Sequence, residues 1–352
     1  MKRYIIFNGS LVQGGAERVI SILSQRLVDE GFDVEILLYY DREIFYSIDN
    51  RIKITPVCRE TGCQNIIKNF FWLRKFFSKT DASIISFLNV FNILAIAATL
   101  FMNKKIIVAE RSDPYHDPST FFLRLLRNFM YRFANGVVLQ TNHSFNYFSK
   151  HLQKKSRVIY NPINMGDVLG LAINTPKQKE IVTVGRLMEV KNHEMLIRSF
   201  SKIHTQFPEY ILKIYGEGPN RNNLESLINK LSLNNCVFLP GATKDVFNTI
   251  ACAELFVFTS NYEGMPNALL EAMCLGLPVV STKVAGATDF IKHGENGYLV
   301  DVGDEDELAH VVNYLLSNKE KRAVLAKNAI NVSEQLDVND ITNQWISFVE
   351  SC

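Results

Sequence analysis

Two acidic residues bracket a segment whose residue types suit anion binding. The segment follows a short apolar run, 255–259, and it reads Glu263-Gly264-Met265-Pro266-Asn267 before continuing to Glu271. Proline suits a first helical turn, where its missing N–H is not needed, so a helix is predicted from about Pro266 to Gly276. The amides at such an N-terminus attract phosphate, and carboxylates accept hydrogen bonds from sugar or ribose hydroxyls. The alternative is a capping carboxylate and a solvated one, both without function.

Two cations follow another predicted strand, 180–185. Arg186 comes directly after it, and Lys191 precedes Asn192, a favourable residue for a helix N-cap. A guanidinium can bind a diphosphate with two parallel hydrogen bonds, whereas an ammonium acts as a point charge. These residue types therefore indicate a diphosphate site at the carboxyl edge of a sheet. Two ordinary surface cations are the alternative.

A pair of glycines, Gly14 and Gly15, separates the first predicted strand from the first predicted helix. Paired glycines let a backbone approach a ligand closely. The spacing is not Gly-x-Gly-x-x-Gly and no Walker lysine follows, so dinucleotide and P-loop interpretations are weak. A plain turn is the alternative.

The elements that must position these residues alternate between short apolar runs and helical patterns. This rhythm predicts parallel sheets covered by helices. It pauses at 161–179, which is interpreted as a linker between a first domain, 1–165, and a second, 175–337. A last helix, about 338–352, is expected to pack back on the first domain. Both domains are predicted to be doubly wound, with strand carboxyl ends facing one another across a cleft. The predicted strands are 3–8, 35–40, 83–87, 105–110, 136–140, 157–160, 180–185, 210–215, 237–239, 255–259, 277–281 and 297–300.

Charge is divided unevenly along the 352 residues. Residues 1–165 carry 22 Lys and Arg against 13 Asp and Glu, a net charge of +9, and residues 166–352 carry 16 against 23, a net charge of −7. The basic half is expected to meet something anionic. The six cysteines show no Cys-x-x-Cys spacing, which indicates reduced thiols rather than a zinc site.

Two segments of the basic half, 68–79 and 121–133, mix cations with aromatic residues. As helices they suit an anionic membrane interface, although core-facing amphipathic helices are the alternative. The cations assigned to an acceptor or membrane side are Arg111, Lys68, Arg74, Lys75, Arg124 and Arg127. The uncharged stretch 82–103 is long enough to span a bilayer, but its polar residues predict a strand, 83–87, and a helix, 90–102. The first residues turn polar too soon for a signal peptide.

These motifs together resemble the retaining glycosyltransferases of family 4, which have the GT-B fold. The resemblance covers nearly the whole chain. Its strongest elements are Gly185-Arg186 with Lys191, the Glu263/Glu271 pair, and Gly286. Supporting elements are Gly14–Arg18, Gly216-Glu217-Gly218-Pro219, Asn161-Pro162 and Gly294 with Gly297.

The resemblance implies roles for these residues. Arg186 and Lys191 would hold the donor diphosphate, Glu263 would touch the transferred sugar, and Glu271 would bind the ribose. The backbone of Gly264, Met265, Pro266 and Asn267 would surround the sugar, with N–H donors from all of these except Pro266, and Gly14 and Gly15 would close on the phosphates. The resemblance also implies retention of anomeric configuration and a nucleotide diphosphate sugar, with UDP the expected carrier. The cations can replace a divalent metal, so neither a metal nor a cofactor is expected.

The resemblance implies that domain 1–165 binds the acceptor and that domain 175–337 binds the nucleotide-sugar donor. The acceptor implied by the family is an undecaprenyl-diphosphate-linked saccharide, used in O-antigen, capsule or exopolysaccharide assembly at the cytoplasmic face of the plasma membrane. Some members contact the donor sugar with a first-domain His or Asp. The candidates here are the Glu110–Pro114 loop, His116 and His143, and the role is left unassigned. A nucleotide-sugar epimerase and a non-catalytic sugar-nucleotide module are the rival interpretations. Nucleic-acid binding is disfavoured, because no recognition motif supports it.

Overall fold

The computed structural model describes residues 2–12, 14–61, 65–163, 175–243 and 245–352. Its contacts divide the chain into two compact units. The first comprises Met1–Pro162 with Leu336–Cys352, and the second comprises Ile163–Gln335. Most of the predicted linker, together with the predicted boundary at residue 165, lies outside the described residues.

The first unit is built on a seven-stranded parallel sheet in the order β3-β2-β1-β4-β5-β6-β7. The strands are β1 (Arg3–Asn8), β2 (Asp33–Leu38), β3 (Lys53–Pro56), β4 (Ser83–Phe87), β5 (Ile106–Ala109), β6 (Gly136–Leu139) and β7 (Ser156–Val158). Ile6 of β1 lies between Ile36 of β2 and Ile85 of β4. The strand order therefore reverses between β1 and β4, where open α/β sheets bind ligands at their carboxyl edge.

Helices connect these strands. They are α1 (Gly15–Asp29), α2 (Val57–Thr61), α3 (Ile66–Ser78), α4 (Asn89–Thr99), α5 (Phe121–Met130), α6 (Asn142–Tyr147) and α7 (Lys150–Gln153). A 3-10 helix, Tyr131–Phe133, continues from α5. Val19, Ile20, Leu23 and Leu27 form the buried face of α1, because their spacing places them on one side of a helix.

The first unit is completed by a helix from the end of the described chain, α15 (Val338–Ser351). Its Ile341, Trp345 and Phe348 join the core that covers one face of the sheet. Trp345 is 1% exposed, and its ring stacks on Phe87 with the centroids 5.8 Å apart. The side chains of α15 therefore cover apolar residues on this face of the sheet, such as Phe87.

The second unit repeats the topology with six parallel strands in the order β10-β9-β8-β11-β12-β13. The strands are β8 (Gln178–Val184), β9 (Ile211–Tyr215), β10 (Val237–Gly241), β11 (Ala253–Phe258), β12 (Val279–Thr282) and β13 (Tyr298–Val300). The helices are α8 (His193–His204), α9 (Arg221–Lys230), α10 (Val246–Ile250), α11 (Asn267–Cys274), α12 (Ala285–Phe290), α13 (Glu305–Ser317) and α14 (Lys319–Ala329). Here the strand order reverses between β8 and β11.

The predicted α/β class with two doubly wound parallel sheets is confirmed. The strand β3 was not predicted, because its four residues end in proline and show little apolar character. The uncharged stretch 82–103 resolves into β4 and α4, as the sequence predicts. Within the described part of the chain, no helix has the length and apolar character needed to cross a membrane.

Candidate active site

The two loops that carry the predicted donor residues lie side by side at the reversal point of the second sheet. One loop follows β8 and the other follows β11, and these two strands pair directly. The Thr259 hydroxyl donates to the Lys191 carbonyl at 3.1 Å, and the Asn261 amide donates to the Val190 carbonyl at 2.8 Å. The Asn192 side-chain amide donates to Asn261 Oδ1 at 2.9 Å. These cross-links fix the two loops relative to each other.

Lys191 and Glu263 meet across this junction. The Lys191 ammonium forms an ion pair with Glu263 Oε1, and the Ser260 hydroxyl donates to the same oxygen at 2.8 Å. The two side chains are only 20% and 14% exposed. The Lys191 nitrogen also lies 5.3 Å from the centre of the Phe258 ring. A cation and a carboxylate are thus held together in a partly desolvated position, where charges interact more strongly than in water.

Local signals explain how the chain reaches this geometry. Asn192 adopts a left-handed conformation with φ 47° and caps α8, because its side chain accepts a hydrogen bond from the Met195 amide. Asn192 also ends the 3-10 turn Glu189–Lys191, so Lys191 immediately precedes the N-cap residue of α8. Arg186 follows β8 and is exposed. The predicted cap at Asn192 is therefore confirmed.

Two glycines allow a second loop to pack against the loop after β8. A Cβ atom on Gly216, which has φ 152°, would lie 1.9 Å from the Gly185 carbonyl oxygen. A Cβ on Gly218 would lie 2.4 Å from the Leu187 carbonyl oxygen. Real Cβ atoms do not approach other atoms so closely. Glycine is therefore needed at positions 216 and 218 for the Gly216–Pro219 turn to pack against Gly185 and Leu187, on either side of Arg186.

Buried beneath the same loop lies His193, the first residue of α8. It is 3% exposed, and its ring lies next to Gly185. Burial, reinforced by the nearby Lys191 charge, lowers the pKa of His193 to about 4. The imidazole is therefore neutral near pH 7 and adds no charge to the site.

The N-terminus of α11 lies on the other side of the junction. Pro266 stands at the N-cap position, one residue before the helix, and Glu271 is a buried residue inside the helix. A Cβ on Gly286 would lie 2.4 Å from Pro266 Cδ and 2.7 Å from the Gly264 carbonyl oxygen. Gly286 thus lets α12 approach the Gly264–Asn267 segment, whose amides begin the helix. Glu271 is buried, which excludes the alternative in which it is a solvated carboxylate.

Gly14 and Gly15 begin α1 in the first unit, with Gly14 at the N-cap. A Cβ on Gly14 would lie 2.1 Å from Glu17 Oε2, so this carboxylate folds back over the glycine. The Tyr46 hydroxyl donates to the Gly14 carbonyl at 3.0 Å. The Tyr46 hydrogen bond holds the turn, and the flexible Glu17 side chain fills the space next to Gly14.

The structure corrects the surface role predicted for Arg127 and Arg111. The Arg127 side chain is fully buried, lies 3.5 Å from Glu110 Oε2, and donates to the Asp117 carbonyl at 2.6 Å. Arg111 is 9% exposed, and its guanidinium lies over the rings of Phe87 and Trp345, 4.9 and 5.3 Å from their centroids. Both cations therefore point into the first unit and not toward an acceptor or a membrane.

Glu110 stands at the centre of this buried network. Burial raises its pKa to about 7, although the Arg127 charge opposes the shift. The Tyr131 hydroxyl donates to Glu110 Oε2 at 3.1 Å, and the Ser112 hydroxyl donates to Oε1 at 3.2 Å. Of the first-domain candidates, Glu110 therefore lies within the protein, whereas His116 and His143 are about half-exposed.

The other predicted cations divide by exposure. Lys68 and Lys75 are exposed on α3. Arg74 is half-buried and donates to the Ala98 and Leu100 carbonyls at the end of α4. Arg124 is half-buried and donates to the carbonyls of Tyr115 and Pro118. Only the two lysines present a charge outward.

Metal ligands in proteins are grouped His, Cys, Asp or Glu side chains. Among the described residues, no group of three or more of these side chains is arranged to hold a metal ion. The sequence holds one Asp-x-Asp tripeptide, Asp304–Asp306, a pattern that can bind metal ions. Asp304 caps α13 by accepting from the Glu307 amide at 2.8 Å, and Asp306 pairs with Lys202 at 2.7 Å. Helix capping and a surface ion pair account for this tripeptide.

Sequence reasoning missed several residues of this site. Ser260, Asn261 and His193 received no role, although each is adjacent to a predicted motif. Asn261 and Ser260 stand between β11 and Glu263, and polar residues at the carboxyl end of a strand are a usable signal. The burial of His193 had no signal, since it depends on packing beneath Gly185.

Family models match both halves of the chain. Residues 13–166 match Glycosyltransferase Family 4, and residues 172–332 match Glycosyl transferases group 1. Together they cover most of the sequence.

Individual relatives match over nearly the full length. The chain is 27% identical to the Campylobacter jejuni GalNAc-alpha-(1->4)-GalNAc-alpha-(1->3)-diNAcBac-PP-undecaprenol alpha-1,4-N-acetyl-D-galactosaminyltransferase, over 97% of this chain and 96% of that protein. It is 24% identical to the Erwinia amylovora amylovoran biosynthesis glycosyltransferase AmsD, over 98% of each.

Among solved structures, the Anabaena protein Alr3699/HepE in complex with UDP and glucose superposes with a TM-score of 0.84. The match covers all of both chains at 20% identity. This likeness extends to the whole fold, which is of the GT-B type. The chain therefore belongs to the glycosyltransferases, with a family 4 domain in its first half and a group 1 domain in its second half.

Proposed function

We propose that this enzyme transfers a hexose or N-acetylhexosamine from a UDP-sugar to a lipid-linked saccharide, with retention of configuration and without a metal ion. The observation that carries the proposal is the Lys191–Glu263 pair at the reversal point of the second sheet, where Glu263 precedes the α11 N-terminus and Lys191 lies against Gly185, the residue before Arg186. The Campylobacter relative's name specifies a PP-undecaprenol-linked acceptor, and HepE was solved with UDP. Both support the substrate classes.

Negative charge develops on the departing diphosphate as the bond between the sugar and the diphosphate oxygen breaks. Lys191 and Arg186 stabilise that charge, together with the amides of the α11 N-terminus, which carries a partial positive charge. Glu263 lies beside Lys191 and is placed to accept hydrogen bonds from the transferred sugar. In the proposed same-face attack, the departing phosphate takes the proton of the acceptor hydroxyl. Glu271, inside α11, is assigned to the ribose.

A transfer assay tests this function. The purified enzyme is incubated with UDP-Glc, UDP-Gal, UDP-GlcNAc or UDP-GalNAc and with undecaprenyl-diphosphate-linked GlcNAc or GalNAc. We expect the lipid-linked product to gain one α-linked sugar and UDP to be released. Incubation with donor alone is the control, since an epimerase would form a new nucleotide sugar without acceptor. Formation of that nucleotide sugar, or a β-linked product, would contradict the proposal.

Metal independence is tested in the same assay. We expect 10 mM EDTA to leave the initial rate within about twofold of the untreated enzyme, because protein cations supply the charge that a metal would otherwise provide. The measurement is UDP release with and without chelator. A rate that vanishes with EDTA and returns with Mg²⁺ or Mn²⁺ would contradict this part of the proposal.

The enzyme is proposed to act at the cytoplasmic face of the plasma membrane, in the assembly of a surface polysaccharide. The supporting observation is a set of exposed apolar side chains on α3 and α5, referred to here as the apolar face: Ile66, Ile67, Phe71, Phe121, Phe122, Leu125 and Phe129. Lys68 and Lys75 lie exposed on α3 among them. Exposed apolar groups with nearby cations suit an anionic lipid interface and argue against helices whose apolar residues all face the core.

Vesicle flotation tests the apolar face. We expect the wild-type protein to float with phosphatidylglycerol-containing vesicles. Phe122→Ser with Phe129→Ser should reduce the bound fraction at least tenfold, since each buried Phe contributes about 2 kcal/mol. Val324→Ser, at an exposed position on α14 in the second unit, is the matched control and should float normally. A wild-type protein that stays at the bottom, or a double variant that floats equally well, would contradict membrane docking.

A further inference from the structure

A groove crosses the amino edge of the first sheet, where β1, β4 and β5 begin. One part of it has a volume of about 530 Å³ and the other a volume of about 380 Å³. Both values lie within the range of roughly 300–1,000 Å³ that is typical of small-molecule sites. The two parts share Asp81, Ala82, Ser83 and Lys105, and we call the continuous depression around these residues the basal groove. The reaction proposed above uses none of them, so the groove is a separate site.

Positive charge prevails in the lining of the basal groove. Four cations line the larger part: Lys2, Arg3, Lys79 and Lys105. The smaller part adds Lys104. Of the two carboxylates in the lining, Glu350 is paired with Lys2, and the Asp81 side chain is fully exposed to solvent. The excess of cations suits an anionic ligand such as a phosphate group.

The lysines of the basal groove retain hydrogen-bond donors for such a ligand. The Lys105 ammonium donates to the Val349 carbonyl at 3.1 Å, and because an ammonium has three donors, two remain. The carbonyl is neutral, so this bond does not cancel the charge of Lys105. Lys79 is exposed at the C-cap of α3, and the hydroxyls of Thr80 and Ser83 lie in the same part of the groove.

An exposed aromatic ring stands on the loop that supplies two of these lysines. Phe101 precedes Lys104 and Lys105, is 95% exposed, and has φ 65°, a left-handed conformation that is rare for a bulky side chain. Arg74 of α3 donates to the Leu100 carbonyl at 3.0 Å, which holds this loop against α3. An apolar ring next to lysines is typical of residues that enter the interface of an anionic bilayer.

We infer that the basal groove binds the phosphate headgroup of an anionic phospholipid while Phe101 enters the surrounding acyl chains. The inference rests on the membrane docking of the proposed function and adds headgroup selectivity to it. Continuity with the apolar face favours a lipid over a soluble phosphate. Ile67 and Phe71 of α3 belong to that face, and Lys79, directly after the same helix, lines the groove.

Vesicle flotation of the full chain measures headgroup selectivity. The probes are vesicles of phosphatidylcholine alone and of an equal mixture of phosphatidylcholine and phosphatidylglycerol. We expect the wild type to bind the mixed vesicles at least about tenfold more tightly. Lys79→Gln with Lys105→Gln should weaken binding to the mixed vesicles about tenfold and leave binding to phosphatidylcholine unchanged. Lys230→Gln with Lys327→Gln, at two exposed positions of the second unit, is the matched control and should bind as the wild type does.

Two further variants separate the parts of the site and guard against damage to the fold. Lys79→Glu changes an exposed side chain, so it should keep wild-type circular dichroism and still weaken binding to the mixed vesicles. Phe101→Asn places a residue that tolerates a left-handed backbone. It should weaken binding to both kinds of vesicle about tenfold and preserve their ratio, because the ring that it removes is uncharged.

Several results would overturn the inference. Equal wild-type binding to the two kinds of vesicle would refute the headgroup site and leave docking of the apolar face intact. An equal loss in the Lys230 and Lys327 control would attribute the selectivity to overall charge. Calorimetric binding of inorganic phosphate that requires Lys79 and Lys105, with flotation that does not, would assign the groove to a soluble phosphate. A wild type that floats with neither vesicle would refute the proposed membrane docking together with this site, whereas sugar transfer is measured independently.

Discussion

Replacing Lys191 with alanine is expected to lower kcat/KM by about 10²–10³-fold. Removing one pre-aligned group that stabilises developing negative charge typically raises the activation barrier by about 3–4 kcal/mol. Lys191 is suited to this role because cross-links from Thr259 and Asn192 hold its loop against the loop that carries Glu263. Glu263→Ala should cause a comparable loss by removing the carboxylate beside the ammonium. Both effects are measured as initial rates of sugar transfer per folded molecule.

A matched control is available in the same unit. Lys213 forms an ion pair with Glu180 on neighbouring strands of the second sheet, and the two side chains are 25% and 5% exposed, similar to Lys191 and Glu263. Lys213→Ala should reduce stability but leave turnover per folded molecule within about twofold. Near-wild-type turnover in both Lys191→Ala and Glu263→Ala would refute the site assignment, provided that both variants retain wild-type circular dichroism.

The second large effect is on stability. Arg127→Met is expected to lower the free energy of unfolding by about 3–5 kcal/mol, the usual cost of removing one partner of a buried ion pair. The substitution keeps an apolar side chain of similar length but leaves Glu110 without its opposite charge. It also removes the donors to the Asp117 and Pro114 carbonyls. Urea denaturation of the wild type and the variant measures the difference.

The pH dependence of this loss follows from Glu110. Its folded pKa is raised above that of the unfolded chain to about 7, and removing Arg127 raises it further. The folded state then binds a proton that the unfolded state releases, so the variant loses stability as pH rises from about 4.5 through the folded pKa. The destabilisation should therefore be smallest in acid.

Two comparisons separate this mechanism from general damage. Arg132→Met, at an exposed position in the 3-10 helix that follows α5, should change stability by no more than about 0.5 kcal/mol. Glu110→Gln added to Arg127→Met should restore part of the loss, since the buried carboxylate that has lost the Arg127 charge is then replaced by a neutral amide. A single variant within about 1 kcal/mol of wild type, at neutral pH, would contradict the role given to the ion pair.

The site residues of the second unit were easier to predict than those of the first, because residues next to them in sequence indicate the local structure. Pro266, Asn192 and the glycines after β8 and β9 have backbone preferences that place turns and helix starts. The charged residues beside them then lie at a sheet edge by topology alone. The cross-links between the two loops were not predictable, because they join residues about 70 positions apart in sequence.

The basic helices of the first unit show where such reasoning fails. In α5 the apolar residues lie mainly on one side of the helix, and Arg124, Arg127 and Asn128 lie on the other. The expectation from periodicity is that the apolar side faces inward, yet much of it is exposed and Arg127 is buried. The partner of Arg127 is Glu110, 17 positions earlier and on another element, and only packing brings them together. As a result, two arginines assigned to the surface are buried, and the aromatic residues beside Arg127 lie outside. Arg111 was misplaced for the same reason, since its contact with Trp345 comes from the far end of the chain.

The return of α15 to the first unit affects the order in which the protein can fold during translation. The strands β1–β7 are complete once residue 158 has been made, but Trp345 and Phe348 are added only after the entire second unit. At about 5–20 residues per second, a ribosome needs roughly 10–40 s for that interval. Throughout it the nascent first unit exposes Phe87 and its neighbours. A fragment made of residues 1–162 alone would keep this surface open and is expected to aggregate or recruit chaperones, unless a separate peptide covering 336–352 is supplied.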